Sequence, residues 1–208
     1  TLPNARFPST LPAISGANLT NLPAGGVGEY ISSSIAISSD NTALANDDGS
    51  SNSNIGMGYY AGHDLTSGAS NLILGNGAGQ GIVTGSSNVI LGASASANKK
   101  AASSFNTAIG PNALEGEGSF TTASNNTAVG YRSGHKVSTG GSNTFAGHQS
   151  GYNVTTGSSN TGVGHQALQG NSSSKLTGSY NVGVGFQTGY NLTTGQYNNF
   201  SGYAAGYN

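Results

Sequence analysis

Asparagine stands nine times ahead of a glycine four residues further on, at Asn54, Asn71, Asn88, Asn106, Asn126, Asn143, Asn160, Asn181 and Asn198. The partner glycines are Gly58, Gly75, Gly92, Gly110, Gly130, Gly147, Gly164, Gly185 and Gly202. Three residues after each comes a small side chain: Ala61, Ala78, Ala95, Ala113, Ser133, Ser150, Ala167, Thr188 and Ala205. Successive asparagines are 17, 17, 18, 20, 17, 17, 21 and 17 residues apart. Units this short cannot bury their own apolar faces, so each must stack on its neighbours. Any function has to be served by an elongated body with a repeated surface.

Composition narrows the kind of repeat. Only 6% of residues are charged, against about 25% in an ordinary soluble domain, and 35 of the 208 residues are glycine. Leu, Ile, Val and Phe together fall below the level of about 20% that packed domains need, but the net charge of −1 is too small for a charge-driven disordered chain. A parallel β-solenoid reconciles these facts. Each coil needs few inward apolar side chains, and backbone hydrogen bonds between coils supply further cohesion. With a pI near 6.3 there is no basic stripe to displace counterions from nucleic acid. No run of about 18 apolar residues marks a membrane insertion. The chain contains no cysteine, which removes disulfides and thiolate chemistry and says nothing of compartment. Thr1 in place of Met suggests a fragment or processed product.

Three segments follow from the pattern. Pro3, Pro8, Pro12 and Pro23 forbid helix over residues 1–28. Leu11, Ile14, Leu19 and Leu22 are too apolar for a free linker, so this segment is expected to be an extended stem wound around identical copies. Residues 29–53 read as a transition and cap, with Ile31, Ile35 and Ile37 spaced for a strand. Asn41 to Ala45 within it resembles a degraded repeat with Ala in the glycine position. Residues 54–208 are the nine-coil array. In each unit the positions one and three after Asn are mostly apolar or β-branched, as in Leu72 with Leu74 and Val182 with Val184, which predicts a half-buried strand. A second apolar position, at Leu65, Ile82, Val137, Val154 and Leu192, precedes glycine corners at Gly68, Gly85, Gly140, Gly157 and Gly195. Two or three short strands per coil are therefore expected, without helices. At about 4.8 Å per rung the array makes a rod of roughly 43 Å. Its apolar flank would be covered by packing three copies side by side, a parallel homotrimer.

Catalytic constellations are weak. A glycosidase needs two acids facing each other about 5 to 9 Å apart. Glu115 and Glu117 instead share one glycine-rich loop, and Asp47 and Asp48 are adjacent in Asn46-Asp47-Asp48-Gly49, so both pairs read as solvated loop acids. The latter run lacks the ligand spacing of a dedicated Ca²⁺ loop. His148 and His165 share the slot five after Asn in successive coils, the arrangement closest to a metal site, yet Tyr59, Tyr131, Phe186 and Tyr203 fill that slot elsewhere. Gly-x-Gly-x-x-Ala runs such as residues 162–167 arise from the repeat rather than from a strand–helix turn. The expectation is a non-enzymatic chain without cofactor or metal.

Contact surfaces have more support. Tyr131 and Tyr203 lie five after Asn, and Tyr152 and Tyr190 nine after, giving ranks of flat amphipathic rings that suit sugars or serve to pack coils together. The longer units lengthen one segment, giving loops at Asn98 to Ala101, Glu115 to Thr121 and Asn171 to Lys175. Insertions at one position project from one edge of a solenoid, often the binding edge. Lys99, Lys100, Glu115, Glu117, Phe120 and Lys175 are the candidate contacts there, with a Lys100–Glu115 ion pair as the structural alternative.

The units Asn126-Thr-Ala-Val-Gly-Tyr131 and Asn160-Thr-Gly-Val-Gly-His-Gln-Ala-Leu168, with their Thr-Thr-Gly linkers, resemble the repeats of bacteriophage tail fibres. The stem phrase Ile14-Ser-Gly-Ala-Asn-Leu-Thr-Asn-Leu-Pro-Ala24 is similar to tail-fibre sequence too. The head domains of bacterial trimeric autotransporter adhesins have a similar, shorter repeat. The tail-fibre resemblance implies an extracellular, trimeric virion component that attaches to a polysaccharide or protein receptor on the host surface. Many such fibres carry a C-terminal self-cleaving chaperone, which is not visible here. An adhesin head is the alternative, and a C-terminal membrane barrel in the full gene would mark it. An ice-binding solenoid is a third reading, from the rank Thr107, Thr127, Thr144 and Thr161, which breaks at Val182 and Asn199.

Overall fold

A computed structural model describes residues 29–31, 34–38, 42–48, 52–98, 102–117, 122–171, 173 and 175–207. The expected stem, residues 1–28, lies outside them. The chain is all-β. Strand β1 (Glu29–Ile31) pairs antiparallel with β2 (Ser34–Ile37). Strands β3 to β11 are Ile55–Met57, Leu72–Leu74, Val89–Leu91, Thr107–Ile109, Thr127–Val129, Thr144–Ala146, Thr161–Val163, Val182–Val184 and Asn199–Ser201. From β2 to β11 every strand runs parallel to the one before, giving a ten-stranded parallel sheet in strict chain order. The strands of β3 to β11 each begin one residue after an array asparagine and pair in step with that repeat, as in Ile73 with Ile90 and Gly162 with Gly183. This is a β-solenoid of about nine turns.

Among the described residues each array coil has one strand of three residues rather than the two or three expected, with an isolated parallel bridge between Val154 and Leu176 as the trace of a second. The rest of the coil repeatedly enters left-handed backbone conformations, at the residue before Asn (Ser70, φ 61°; Tyr197, φ 59°) and six after it (Gln166, φ 57°). Such kinks prevent a continuous ladder, yet coil-to-coil bonding persists through them. Gly62 N–H donates to Ala78 O, Asp64 N–H to Gln80 O and Thr66 N–H to Val83 O. Backbone groups thus find partners around much of the turn, as buried amides require.

The inward-facing position is also different from the expected one. The middle residue of each strand points into the coil: Ile73, Ile90, Ala108, Ala128 and Phe145 are fully buried. The flanking positions, one and three after Asn, face outward. Bulk is conserved between coils rather than within them. A Cβ on Gly56 would stand 2.6 Å from the Leu44 side chain, and one on Gly183 would stand 2.9 Å from Leu168. Phe145 fills the space that Gly151 leaves open, since a Cβ there would meet its ring at 2.5 Å. Leu65, Ile82, Val137, Val154 and Leu176 complete the buried stack. Interiors tolerate such exchanges where total volume is kept.

A column of side-chain amides runs up the coil beside this core. Asn160 N–H donates to Asn143 Oδ1 at 2.9 Å, and Asn160 Nδ2 donates to Gly178 O at 3.0 Å. Its own Oδ1 accepts from Asn181 N–H at 2.9 Å and Asn181 Nδ2 at 3.0 Å. The column reaches up to Asn198, whose N–H and Nδ2 both donate to Asn181 Oδ1. At its other end Ser34 takes the asparagine position, its Oγ accepting from Asn54 N–H at 3.0 Å. Ser34 thus takes the asparagine position of this segment and Asp47 closes the column, while Asn41 lies outside the described residues. The Asp47 carboxylate accepts from Ser34 Oγ, Asn52 Nδ2 and Asn54 Nδ2 at 3.0, 2.7 and 3.1 Å. Asp48 accepts from Asn52 Nδ2 at 3.0 Å. Asp47, half-buried and paired three ways, is not the solvated loop group the sequence suggested, whereas Asp48 is exposed.

Candidate recognition surface

Three outward features are built by the same period. The first is the outer face of the sheet. Met57, Val129, Val163 and Val184 are 41, 39, 39 and 42% exposed, three residues after Asn54, Asn126, Asn160 and Asn181. Leu74, Leu91 and Ile109 continue the rank half-buried. Beside it, one after Asn, run Ile55, Leu72, Val89, Thr107, Thr127, Thr144, Thr161 and Val182. The threonines are thus one short part of an apolar, β-branched face. Contiguous apolar surface of this kind marks an interaction site.

The second feature is aromatic. Five after Asn, the rings of Tyr131, His148, His165, Phe186 and Tyr203 follow one another at centroid distances of 5.3, 4.9, 5.2 and 5.2 Å. His148 and His165 are parallel to within 3°. Rings stacked in this way use their faces on each other, so inside the column the faces are not open to a sugar. Tyr131 also carries the Arg132 guanidinium 5.1 Å from its ring centre, and Tyr203, 81% exposed, has one ring face on Phe186. Nine after Asn, His135 stacks on Tyr152 at 4.9 Å and Tyr190 on Tyr207 at 5.0 Å. Among the described residues no group of three or more His, Cys, Asp or Glu side chains is arranged to hold a metal. A third aromatic position escaped the sequence reading: Phe105, Tyr180 and Tyr197 immediately precede array asparagines, and the last two stack at 5.1 Å. Its signal was the slot before Asn, which serine mostly fills and therefore conceals.

The third feature is the insertion edge. Lys175 Nζ reaches Glu117 Oε2 at 2.6 Å across 58 residues, and Lys136 Nζ lies 3.9 Å from Glu117 Oε1. The insertions of two different units do meet on one edge. Glu115 pairs with His135 at 3.2 Å and accepts from Asn98 and Asn112 at 3.2 and 2.7 Å. Lys99, Lys100 and Phe120 lie outside the described residues, as does the expected Lys100–Glu115 pair. Lys136 and His135 join neighbouring coils to Glu117 and Glu115 and Lys175 reaches across several coils to Glu117, and exposed pairs of this kind contribute only about 0 to 1 kcal/mol each.

The edge has a pH dependence of defined sign. Burial holds the His135 imidazole below its ordinary value, against the opposing pull of Glu115. Stability tied to its neutral form is complete above the ordinary imidazole range and is lost as the pH falls through that range toward the lowered folded value. The hydrogen bond from Lys175 holds Glu117 below the ordinary carboxylate value. Its contribution is present above that value and disappears as the pH falls through the folded one. The expected result is a thermal midpoint that drops in two steps on acidification, first as the pH falls below the ordinary imidazole range and again below the ordinary carboxylate range. Lys175→Ala should flatten the second step alone in midpoint measurements against pH.

Among the described residues no helix is long and apolar enough to cross a membrane. Comparison of the chain with family models, with curated proteins and with solved structures gives no match at any of the three levels.

Proposed function

We propose that this chain is a structural and host-recognition segment of a trimeric bacteriophage tail fibre, without enzymatic activity. The observation that carries the reading is the outer sheet face, which from Ile55 to Val184 is apolar or β-branched, with Thr107, Thr127, Thr144 and Thr161 in one of its two ranks. A lone rod would leave that face wet along its length. Three copies turned inward about a common axis bury it, and the solenoid then serves as a stiff spacer whose insertion edge and aromatic ranks face the host. The proline-rich residues 1–28 fit the stem of such a fibre.

Light scattering on the purified chain should give a mass about three times the 20.5 kDa of one copy. Val129→Lys combined with Val163→Lys places two cations on the proposed shared face without touching the coil interior. The variant is expected to remain β-folded by circular dichroism and to run as a single copy. A monomeric parent chain overturns the trimer. Recognition is tested separately by binding the labelled chain to a panel of bacterial strains. Adsorption restricted to a subset supports attachment, whereas uniform coating or none removes it.

A further inference from the structure

The residue before each array asparagine has a left-handed backbone, and serine fills that position at Ser53, Ser70, Ser87, Ser142 and Ser159. Tyr180 and Tyr197 take the same conformation, with φ of 60° and 59°. A bulky side chain in this region is an outlier, and such outliers cluster where a residue does more than support the fold. Burial does not offset the cost, because Tyr180 is 53% and Tyr197 76% exposed.

The backbone locks the two tyrosines in register. Tyr197 N–H donates to Ser179 O at 3.3 Å, and two residues beyond each ring Val182 pairs with Asn199. The phenol rings are parallel to within 2° with centres 5.1 Å apart. That separation is close to the one between two directly bonded phenyl rings, and the χ2 torsion of tyrosine is soft. A turn of each ring about χ2 therefore changes contact by faces into contact by the carbons ortho to the hydroxyls, with the backbone left in place.

We propose that Tyr180 and Tyr197 form an oxidative cross-linking site, at which a one-electron oxidant such as a haem peroxidase fed with hydrogen peroxide couples them into a dityrosine. Each phenol gives up one electron and its hydroxyl proton, leaving two phenoxyl radicals. Their ortho carbons form one C–C bond, and the hydrogen on each of those carbons moves to its oxygen and restores the phenol. The two electrons and two protons convert one peroxide into two waters. Radicals made on neighbouring coils need no diffusional encounter, which is the advantage of fixed orientation. The product staples the coil of β10 to the coil of β11, where Asn198 and Phe200 are only half-buried while Asn181 and Phe145 are buried. Other aromatic contacts fit this chemistry less well. Tyr131, Tyr152 and Tyr203 stack on His148, His135 and Phe186, which are not phenols. Tyr59 and Tyr60 meet edge to face within one turn, so a bond between them joins no coils. Tyr190 and Tyr207 are stacked at 5.0 Å, but Tyr190 is half-buried and offers less ring to an oxidant.

The test is to treat the purified full chain with a haem peroxidase and hydrogen peroxide, then to follow dityrosine fluorescence, denatured mass and peptide masses. A protease that cuts before Leu192 separates Tyr180 from Tyr197, so a joined peptide lighter by two hydrogens reports the link. This peptide is expected as the main product, in a chain that keeps the 20.5 kDa of one copy under denaturing conditions. Amide exchange over residues 199–201 should slow after oxidation. Tyr180→Phe and Tyr197→Phe each keep a stacked ring without the phenolic hydrogen, and each should abolish the joined peptide with the circular dichroism unchanged. Tyr190→Phe should leave its yield as it was. Should Tyr180→Phe fail to fold, Tyr197→Phe at the more exposed ring decides. Persistence of the joined peptide in a folded Phe variant overturns the proposal. So does the absence of that peptide, a main link between Tyr190 and Tyr207, or dityrosine found only in species of twice the chain mass. The outcome is independent of strain adsorption, so the staple and the attachment reading stand or fall separately.

Discussion

Replacing Asn160 by Ala is expected to cost roughly 3 to 6 kcal/mol of coil stability, because it strands several buried groups at once. The side chain bonds at both its amide nitrogen and its oxygen. Nδ2 donates to Gly178 O, and Oδ1 accepts from both the N–H and the Nδ2 of Asn181. Truncation leaves Gly178 O, Asn181 N–H and one Asn181 amide proton in a column where Asn143, Asn160 and Asn181 are at most 1% exposed, so water does not replace what is lost. No other residue substitutes. Asp lacks the donor and buries a charge, Ser has one proton and a shorter reach, and Gln is a methylene too long. Asn198→Ala is the internal control. Asn198 is half-buried and only donates to Asn181, so its loss should cost about 1 kcal/mol. Because repeat arrays need not unfold in one step, the decisive readout is local: amide exchange at Asn181 should accelerate in Asn160→Ala and stay near wild type in Asn198→Ala. Equal midpoints for the two variants would remove the column from the list of forces that hold the coils in step.

The same column explains which parts of the fold were legible in the sequence. Asn, Gly and the small residue must recur because each contacts its own equivalent in the next coil, so their spacing reports the register directly. Strands β3 to β11 fall in step with it for that reason. The inward phase was not legible. Three residues of strand contain too little alternation to show which face is buried, and the outward positions are apolar in their own right, as at Leu72, Leu74 and Val184. Core bulk was hidden by exchange between coils: Gly162 and Gly183 look like poor core residues until Ser150 and Phe145 are seen beside the first and Leu168 beside the second. Ser34 and Asp47 were missed because the end of a column needs only a matching hydrogen-bond partner, which need not be asparagine. Among candidate contacts, Glu117 and Lys175 of two different insertions pair with each other and Glu115 pairs with His135, while Lys99, Lys100 and Phe120 lie outside the described residues.

Gly130→Ala should be at least as damaging as the asparagine change, for a reason that has nothing to do with hydrogen bonding. Gly130 has φ of +129°, a region closed to residues with a Cβ and worth on the order of 1 to 3 kcal/mol of strain when forced. A Cβ there would also stand 2.6 Å from Gly147 O and 2.8 Å from Gly147 C in the next coil. Both atoms are backbone, held by the Gly147 N–H bond to Val129 O at 2.8 Å, so relief requires prising the two coils apart. The rungs sit about 4.8 Å apart throughout, and a single wider gap would weaken every coil-to-coil bond around that turn. Gly202 separates the two effects. It has φ of +110°, yet nothing lies within 4 Å of where its Cβ would be in this chain. Gly202→Ala therefore carries the backbone strain alone and is expected to lower the thermal midpoint by less than half as much as Gly130→Ala. If the two substitutions proved equal, φ would be the whole requirement at this position. A larger loss at Gly130, with amide protection failing on both sides of residues 130 and 147, would establish that the glycine column sets the pitch of the solenoid.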